Sequence, residues 1–329
     1  MGKQDIPVID IWKLRNEGGK NAVAKQIRSA CTNHGFFYVS GHGVAVALQE
    51  EIAAKSRLFF ELPENEKLKI AMENGGIAWR GFFPVNAELT SGKPDRKEGL
   101  YFGQELPYDH PGVKENIPLH GKNLFPEFPV GFSGTVLKYM EAVTQAGHLI
   151  MKGIALSLDL HEDYFNDKYT GDPLILFRIF HYPPQPPDAT QWGVGEHTDY
   201  GLLTILLQDA VGGLQVKSNG EWIDAPPIPN TFICNIGDML DKMTGGLYRS
   251  TPHRVLNTSG KSRLSFPLFF DPGFHTKIAP IANISQGASH HDSLNRWDKA
   301  DIHTFNGTYG EYLLGKIGKV FPGLGKEFL

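Results

Sequence analysis

Among the 13 histidines of this 329-residue chain, two combine with an aspartate and an arginine in an order that has chemical content. His197 and Asp199, in Gly195-Glu196-His197-Thr198-Asp199-Tyr200, precede the apolar run Gly201-Leu202-Leu203-Thr204-Ile205-Leu206-Leu207. Side chains two apart in an extended chain point to the same side, so this imidazole and carboxylate can reach one cation together. His253, in Thr251-Pro252-His253-Arg254-Val255, lies 54 residues beyond Asp199 and several strands later, where a barrel can bring it back as the third ligand. Two imidazoles and one carboxylate on one face of an ion leave the opposite positions open. That suits non-haem Fe(II), which must accept a co-substrate and O2, although zinc takes similar ligands. Arg263 and Ser265 are again two apart and share a strand face. A guanidinium beside a hydroxyl is shaped to hold a carboxylate through charge-assisted bonds. Tyr182, directly before Pro183-Pro184, can donate to the same carboxylate. This second feature argues for iron.

Strands must carry these residues, and the sequence supplies them. From about Pro173 to Phe274, short β-rich runs alternate with turn residues: 174–182, 201–208, 213–216, 221–224, 231–236, 253–255 and 263–270. Seven strands at this spacing predict a sandwich or barrel. Upstream, Ile6-Pro7-Val8-Ile9-Asp10 reads as a strand, Val23, Ile27, Ala30 and Cys31 recur at helical spacing, and Phe36-Phe37-Tyr38-Val39 reads as a second strand. A helix is expected over 46–60, ended by Pro63. Residues 71–130 are rich in Gly, Pro and charge and predict a long excursion that shapes a pocket. Val136, Met140, Val143, Gly147, Ile150 and Ile154 form the stripe of one long helix over about 133–158. The expected architecture is mixed α+β: residues 1–130 pack on and shape the pocket of a core spanning 131–329, which also carries the long helix and a C-terminal segment. Residues 310–321 look partly helical and suit either covering the barrel mouth or self-association.

Composition narrows the function. Lys+Arg 32 against Asp+Glu 36, with no block of like charge, leaves no footprint for nucleic acid or an anionic membrane. No apolar stretch is long enough to span a bilayer, and Met1-Gly2-Lys3-Gln4-Asp5-Ile6 has no signal-peptide core, so a cytoplasmic protein with a small-molecule ligand is expected. Cys31 and Cys234, both in apolar segments, are expected to be reduced core residues. Sequons at Asn257, Asn283 and Asn306 mark stretches expected to be exposed. His161-Glu162-Asp163 and His290-His291-Asp292 lie in polar stretches without a strand signal and read as solvated loops.

The chain resembles the Fe(II)- and 2-oxoglutarate-dependent oxygenases of the isopenicillin N synthase-like group. The resemblance runs from Ile6-Pro7-Val8-Ile9-Asp10 through Gly35-Phe36-Phe37-Tyr38-Val39-Ser40-Gly41-His42-Gly43, Phe59-Phe60-Glu61-Leu62-Pro63 and Lys93-Pro94-Asp95-Arg96-Lys97-Glu98. It is densest from His197 to Phe270, through Gly213-Leu214-Gln215-Val216 and Asn235-Ile236-Gly237-Asp238. It implies a double-stranded β-helix, or jelly-roll, with iron on His197, Asp199 and His253 and the distal carboxylate of 2-oxoglutarate on Arg263, Ser265 and Tyr182. It also implies O2 as oxidant and ascorbate as a stimulant. Where many plant members carry Tyr-Tyr before the prolines, this chain has His181-Tyr182, and an Asn-Gly segment is replaced near Thr244-Gly245-Gly246.

Glu88-Leu89-Thr90 followed by Gly92-Lys93-Pro94-Asp95 looks like the segment that contacts a guanidinium in the ethylene-forming enzyme and in homoarginine hydroxylase-like members. A carboxylate and a hydroxyl two apart suit such a cation, and scaffold is the competing role. Arg178 suits a substrate carboxylate or a scaffold ion pair, and Phe269 and Phe270 suit an aromatic slot or the core. The expected reaction is hydroxylation of a small molecule, such as arginine or homoarginine. Desaturation or cyclisation of an aromatic or other small acid, or a silent metal or acid sensor, are the alternatives. A zinc hydrolase would need a general base, for which Glu196 faces away from the metal pair on a regular strand.

Overall fold

The computed structural model describes residues 6–218, 220–284, 299 and 301–321. The chain opens with strand β1 (Val8–Asp10), helix α1 (Glu17–Asn33), strand β2 (Phe36–Ser40) and helix α2 (Val46–Phe60). The apolar stripe of α1 is buried at Val23, Ile27, Ala30 and Cys31, and that of α2 at Ile52 and Phe59. Short helices α3 (Glu64–Lys67) and α4 (Pro111–Lys114) flank strands β3 (Gly81–Phe83) and β4 (Glu98–Gly103). Helix α5 (Phe132–Ser157) follows, and the predicted stripe from Val136 to Ile154 is buried along it.

Eight strands then build the core: β5 (Leu174–Tyr182), β6 (Val194–His197), β7 (Leu203–Gln208), β8 (Leu214–Ser218), β9 (Glu221–Asp224), β10 (Phe232–Ile236), β11 (His253–Val255) and β12 (Arg263–Asp271). Helix α6 (Asp238–Met243) interrupts them, and α7 (Tyr309–Val320) is the last described helix. The strands form two sheets, in the orders β1-β2-β10-β7-β12-β5-β4-β3 and β6-β11-β8-β9. All pairings are antiparallel except β1 with β2. This is the jelly-roll, with N-terminal strands extending both edges of its larger sheet.

Alternation along three adjacent strands builds one wall of a cavity. Arg263, Ser265, Pro267, Phe269 and Asp271 of β12, Leu176, Arg178, Phe180 and Tyr182 of β5, and Thr204 and Leu206 of β7 all face it. The opposite wall comes from the smaller sheet through Val194, His197, Leu214, His253 and Val255. Trp79, Glu88 and Thr90 from the 71–130 excursion and one face of α7 close its mouth.

Asn257 departs from the expected exposure. Its side chain is buried and donates to the Lys261 carbonyl at 2.7 Å, so this sequon is a turn-forming asparagine inside the fold, whereas Asn283 and Asn306 are exposed. Both cysteines are buried thiols. In the His161 stretch, Glu162 pairs with Lys20 and Asp163 with Lys152, while His290-His291-Asp292 lies outside the described residues. Among the described residues no helix is long and apolar enough to cross a membrane.

Candidate metal and co-substrate site

His197 ends β6 and His253 starts β11, and the two residues are partners across that antiparallel pair. Asp199 sits two residues past the end of β6. One ligand atom from each of the three lies within 4.8 Å of the others. Nε2 of His197 and Nε2 of His253 are 3.8 and 3.7 Å from Asp199 Oδ1.

The partners of the remaining atoms fix this orientation. Nδ1 of His197 is 2.8 Å from the Gly195 carbonyl and Nδ1 of His253 is 3.2 Å from the Thr251 carbonyl, so each Nδ1 carries the proton and each Nε2 presents its lone pair. Asp199 Oδ2 accepts from Thr204 Oγ1 at 2.5 Å and Asn235 Nδ2 at 2.7 Å, which leaves Oδ1 toward the histidines. Burial, reinforced by His253, pushes the His197 imidazole down to about 3 against the pull of Asp199. Burial resists ionisation of Asp199, but the two imidazoles and the two hydrogen bonds hold its carboxyl below the ordinary value. Neutral imidazole beside carboxylate is the protonation state a divalent metal requires.

Arg263 lies deeper in the same cavity and is fully buried. One terminal nitrogen donates to Gln208 Oε1 at 3.3 Å, while Nε and the other terminal nitrogen have no hydrogen-bond partner. Among the described residues no carboxylate pairs with it. A buried guanidinium with two unmet donors is costly unless an anion arrives, and these donors suit a carboxylate. Tyr182 stacks beneath it, and the Ser265 and Tyr182 hydroxyls lie 3.5 Å apart at the same end of the cavity. The residues therefore fit both Fe(II) and a bound dicarboxylic acid.

Two family models match the chain. Residues 6–128 match the N-terminal domain of the non-haem dioxygenases in morphine synthesis, and residues 173–272 match the 2OG-Fe(II) oxygenase superfamily. A probable iron/ascorbate oxidoreductase of Dictyostelium discoideum is 52% identical, with 99% of this chain and 97% of the relative covered. The chain belongs to the 2OG-Fe(II) oxygenase superfamily. It is therefore a 2-oxoglutarate-dependent non-haem iron dioxygenase, whose family uses Fe(II), 2-oxoglutarate and O2 on small molecules. A 1-aminocyclopropane-1-carboxylate oxidase of the same organism is 44% identical, with 97% of this chain and 96% of the relative covered. A homoarginine-6-hydroxylase of Glycine max is 37% identical over 95% of this chain and 96% of the relative. In structure, the chain is similar to a full-length Neurospora crassa protein crystallised in complex with alpha-KG and thymine, at a TM-score of 0.79 and 28% identity, covering 96% of this chain and 98% of that one.

The substrate-side candidates of the oxygenase divide. Glu88, Thr90, Arg178 and Phe269 line the cavity. Phe270 does not: alternation turns it away, fully buried against α5, where its ring meets His148 edge-on at 4.8 Å and Gly147 leaves room for it. Phe270 is a core residue. Tyr200, which regular alternation would turn away from Asp199, also lines the cavity, because β6 ends at His197 and alternation stops there. Glu196 points outward to Lys217 at 2.9 Å, so no general base stands beside the triad from that side.

Glu88 sits in a buried network. Its Oε2 is 2.8 Å from Lys97 Nζ, its Oε1 accepts from the Tyr101 hydroxyl at 2.6 Å, and Arg178 approaches Oε1 at 3.5 Å. Lys97 also holds Asp95 at 2.6 Å, and Asp95 accepts from Thr90 at 2.5 Å. Burial opposes ionisation of Glu88, yet Lys97 and Arg178 hold its carboxyl below its ordinary value. The Arg178 guanidinium lies over the Tyr101 ring at 4.1 Å and beside Phe269 at 4.9 Å. Sequence reasoning gave no role to Lys97, Thr204, Gln208 or Asn235. Thr204 shares the inward set of its strand, a signal that was available; Gln208 and Asn235 act through contacts between distant segments, and Lys97 serves Asp95 and Glu88 within its own stretch of chain.

Proposed function

We propose that the enzyme hydroxylates a C–H bond of a small basic amino acid such as arginine or homoarginine, releasing succinate and CO2, with ascorbate as a stimulant. The observation that carries this reading is that Glu88, Thr90 and Arg178 line one cavity with the His197–Asp199–His253 cluster and Arg263. In this reading His197 Nε2, Asp199 Oδ1 and His253 Nε2 hold Fe(II), and Arg263, Ser265 and Tyr182 hold the distal carboxylate of 2-oxoglutarate. When bound, iron and co-substrate together supply, from O2, the oxidant that breaks the C–H bond.

The protein's part is placement. Arg263 anchors the co-substrate by two-pronged bonds that fix its direction as well as its affinity. Val194, Leu206, Leu214 and Val255 line the cavity with hydrocarbon and keep water from the reacting centre. Arg178 and Glu88 approach each other at 3.5 Å, longer than a charge-assisted hydrogen bond, so each retains capacity for a closer partner. A basic amino acid brings both partners: a carboxylate for Arg178 and a cation for Glu88, with the Thr90 hydroxyl beside it.

One observation favours a second reading. Lys97 already neutralises Glu88 at 2.8 Å, so a small acid held by Arg178 alone, its ring or chain against Phe269, would leave Glu88 as scaffold. Succinate release from 2-oxoglutarate with Fe(II) and ascorbate separates the two, measured with arginine, homoarginine, lysine and aromatic acids and with His197→Ala as background. Stimulation by the guanidinium compounds that Glu88→Gln abolishes supports the first. Stimulation by aromatic acids that is insensitive to Glu88→Gln overturns it in favour of the second.

A further inference from the structure

Helix α7 presents two tyrosines, Tyr309 and Tyr312, that the proposed reaction does not use. They are three apart and share one helix face. A capping box fixes where the helix begins: Thr308 Oγ1 accepts from the Glu311 amide at 3.4 Å, and Glu311 Oε2 accepts from the Thr308 amide at 2.8 Å. The Tyr309 hydroxyl donates to Asp271 Oδ2 at 2.5 Å and the Tyr312 hydroxyl to Asp238 Oδ2 at 2.7 Å. All four side chains are buried.

The Asp271 side chain and the Asp238 main chain sit against the same short loop. Asp238 begins α6, and the first amides of that turn grip the loop: Asp238 N–H donates to the Asp199 carbonyl at 2.8 Å, Met239 N–H to Gly201 at 3.0 Å and Gly237 N–H to Leu202 at 3.1 Å. A Cβ on Gly237 would overlap the Gly201 backbone. From the other side, Asp271 is pressed on Gly201 so closely that a Cβ there would overlap its Oδ1. Residues 199–202 are thus held between the backbone amides of the Asp238 turn and the Asp271 carboxyl group, and the side chain of each aspartate accepts from a tyrosine of α7. A phenylalanine would fill the same space without burying a hydroxyl, so simple packing does not account for two such hydroxyls.

We propose that Tyr309 and Tyr312 are positioning residues for the metal site, acting through Asp271 and Asp238 to fix the loop that carries Asp199. The proposal rests on His197, Asp199 and His253 being the metal ligands. Ligand direction is set by what lies behind the ligand, and loss of such support lowers metal affinity by about 10- to 100-fold. Tyr309 itself, with Leu313, Ile317, Val320 and Phe321, also lines the cavity mouth. The wall that meets the substrate therefore also braces the iron ligand.

The test is anaerobic titration of the full-length metal-free protein with Co(II), following the visible d–d absorption, for the parent, Tyr309→Phe, Tyr312→Phe and the double variant. Each single variant is expected to weaken Co(II) binding at least tenfold and to alter the band shape. The ratio of hydroxylated product to succinate should fall as well. If both phenylalanine variants bind Co(II) within twofold of the parent with an unchanged spectrum, and only the melting temperature drops, the tyrosines are packing residues and the proposal is overturned. Should one variant fail to fold, the other decides the outcome, since the two act through different carboxylates. A parent that binds no Co(II) overturns the metal assignment and this proposal together.

Discussion

Arg263 and Tyr182 face each other in register across β12 and β5, with the guanidinium carbon 4.6 Å from the centre of the phenol ring. The ring covers one face of the cation, Gln208 takes one terminal nitrogen, and the two remaining nitrogens without partners share the cavity with the His197–Asp199–His253 cluster. The arginine is held ready for an anion by neighbours that do not neutralise it.

Replacing Arg263 should therefore act on the co-substrate and spare the metal. Removing one partner of a buried charge-assisted pair costs about 2–5 kcal/mol, which is roughly 30- to several-thousand-fold in affinity. Arg263→Gln is expected to raise the KM for 2-oxoglutarate within that range while leaving Co(II) affinity within a few-fold of the parent. Arg263→Lys should recover only a small part, since an ammonium cannot make the two-pronged contact. An unchanged KM for 2-oxoglutarate in Arg263→Gln would remove this residue from the co-substrate site.

Metal binding should be visible as stability. A ligand present at 100 times its Kd stabilises the native state by about 2.7 kcal/mol. Thermal melts of the parent are expected to shift upward with saturating Co(II) under anaerobic conditions, and the shift should vanish in Asp199→Ala and His253→Ala. A full shift in Asp199→Ala would place the ion elsewhere.

The co-substrate candidates were legible because Arg263 and Ser265 follow the shortest-range rule of a strand, by which residues two apart share a face; His197 and Asp199 have the same spacing, although β6 ends at His197 and the loop, not the strand, carries Asp199. The same rule, carried six residues further along β12, places Phe269 with Arg263 and turns Phe270 to α5. An aromatic pair carries no mark of which ring faces inward, and only the register from Arg263 resolves it. Alternation misleads at Tyr200, where the strand has already ended at His197. The supports of the site were not legible for a different reason. Asn235 behind Asp199, Gln208 behind Arg263 and Tyr309 against Asp271 meet across 36, 55 and 38 residues, and no local pattern links such partners.

The buried Asp95–Lys97–Glu88 cluster should be a stability element whatever the substrate. Lys97 is 2% exposed at its side chain and serves two carboxylates, and those carboxylates hold its ammonium above the ordinary value even though burial opposes the charge. Removing one member of a buried ion pair costs about 3–5 kcal/mol, because the partner's charge is left in low dielectric. Lys97→Met is expected to lower unfolding stability by about that amount in urea titrations. Lys13→Met is the control: Lys13 meets Asp10 at 3.9 Å on the surface, where pairs contribute about 0–1 kcal/mol. Equal effects of the two substitutions would contradict the burial of the cluster.

Asp271 should leave a signature in the pH dependence of stability. Burial raises its carboxyl to about 7 in the folded protein, from an ordinary value of 3.8, and the Tyr309 hydrogen bond only partly offsets this. Between those two values the native state holds a proton that the unfolded chain has released, so stability falls as pH rises. The contribution is complete below about pH 4 and is lost as pH rises through about 7. About three pH units correspond to at most about 4 kcal/mol. Other carboxylates with depressed values, such as Glu98, pull the total the opposite way at low pH. The informative quantity is therefore the difference between parent and Asp271→Asn, measured on the metal-free protein by urea unfolding at several pH values. The asparagine cannot ionise, so its stability relative to the parent should rise steadily from about pH 4 to about pH 7.5. A difference that stays flat across that interval would mean that Asp271 is ionised throughout, held as a carboxylate between Tyr309 and the Gly201–Leu202 backbone.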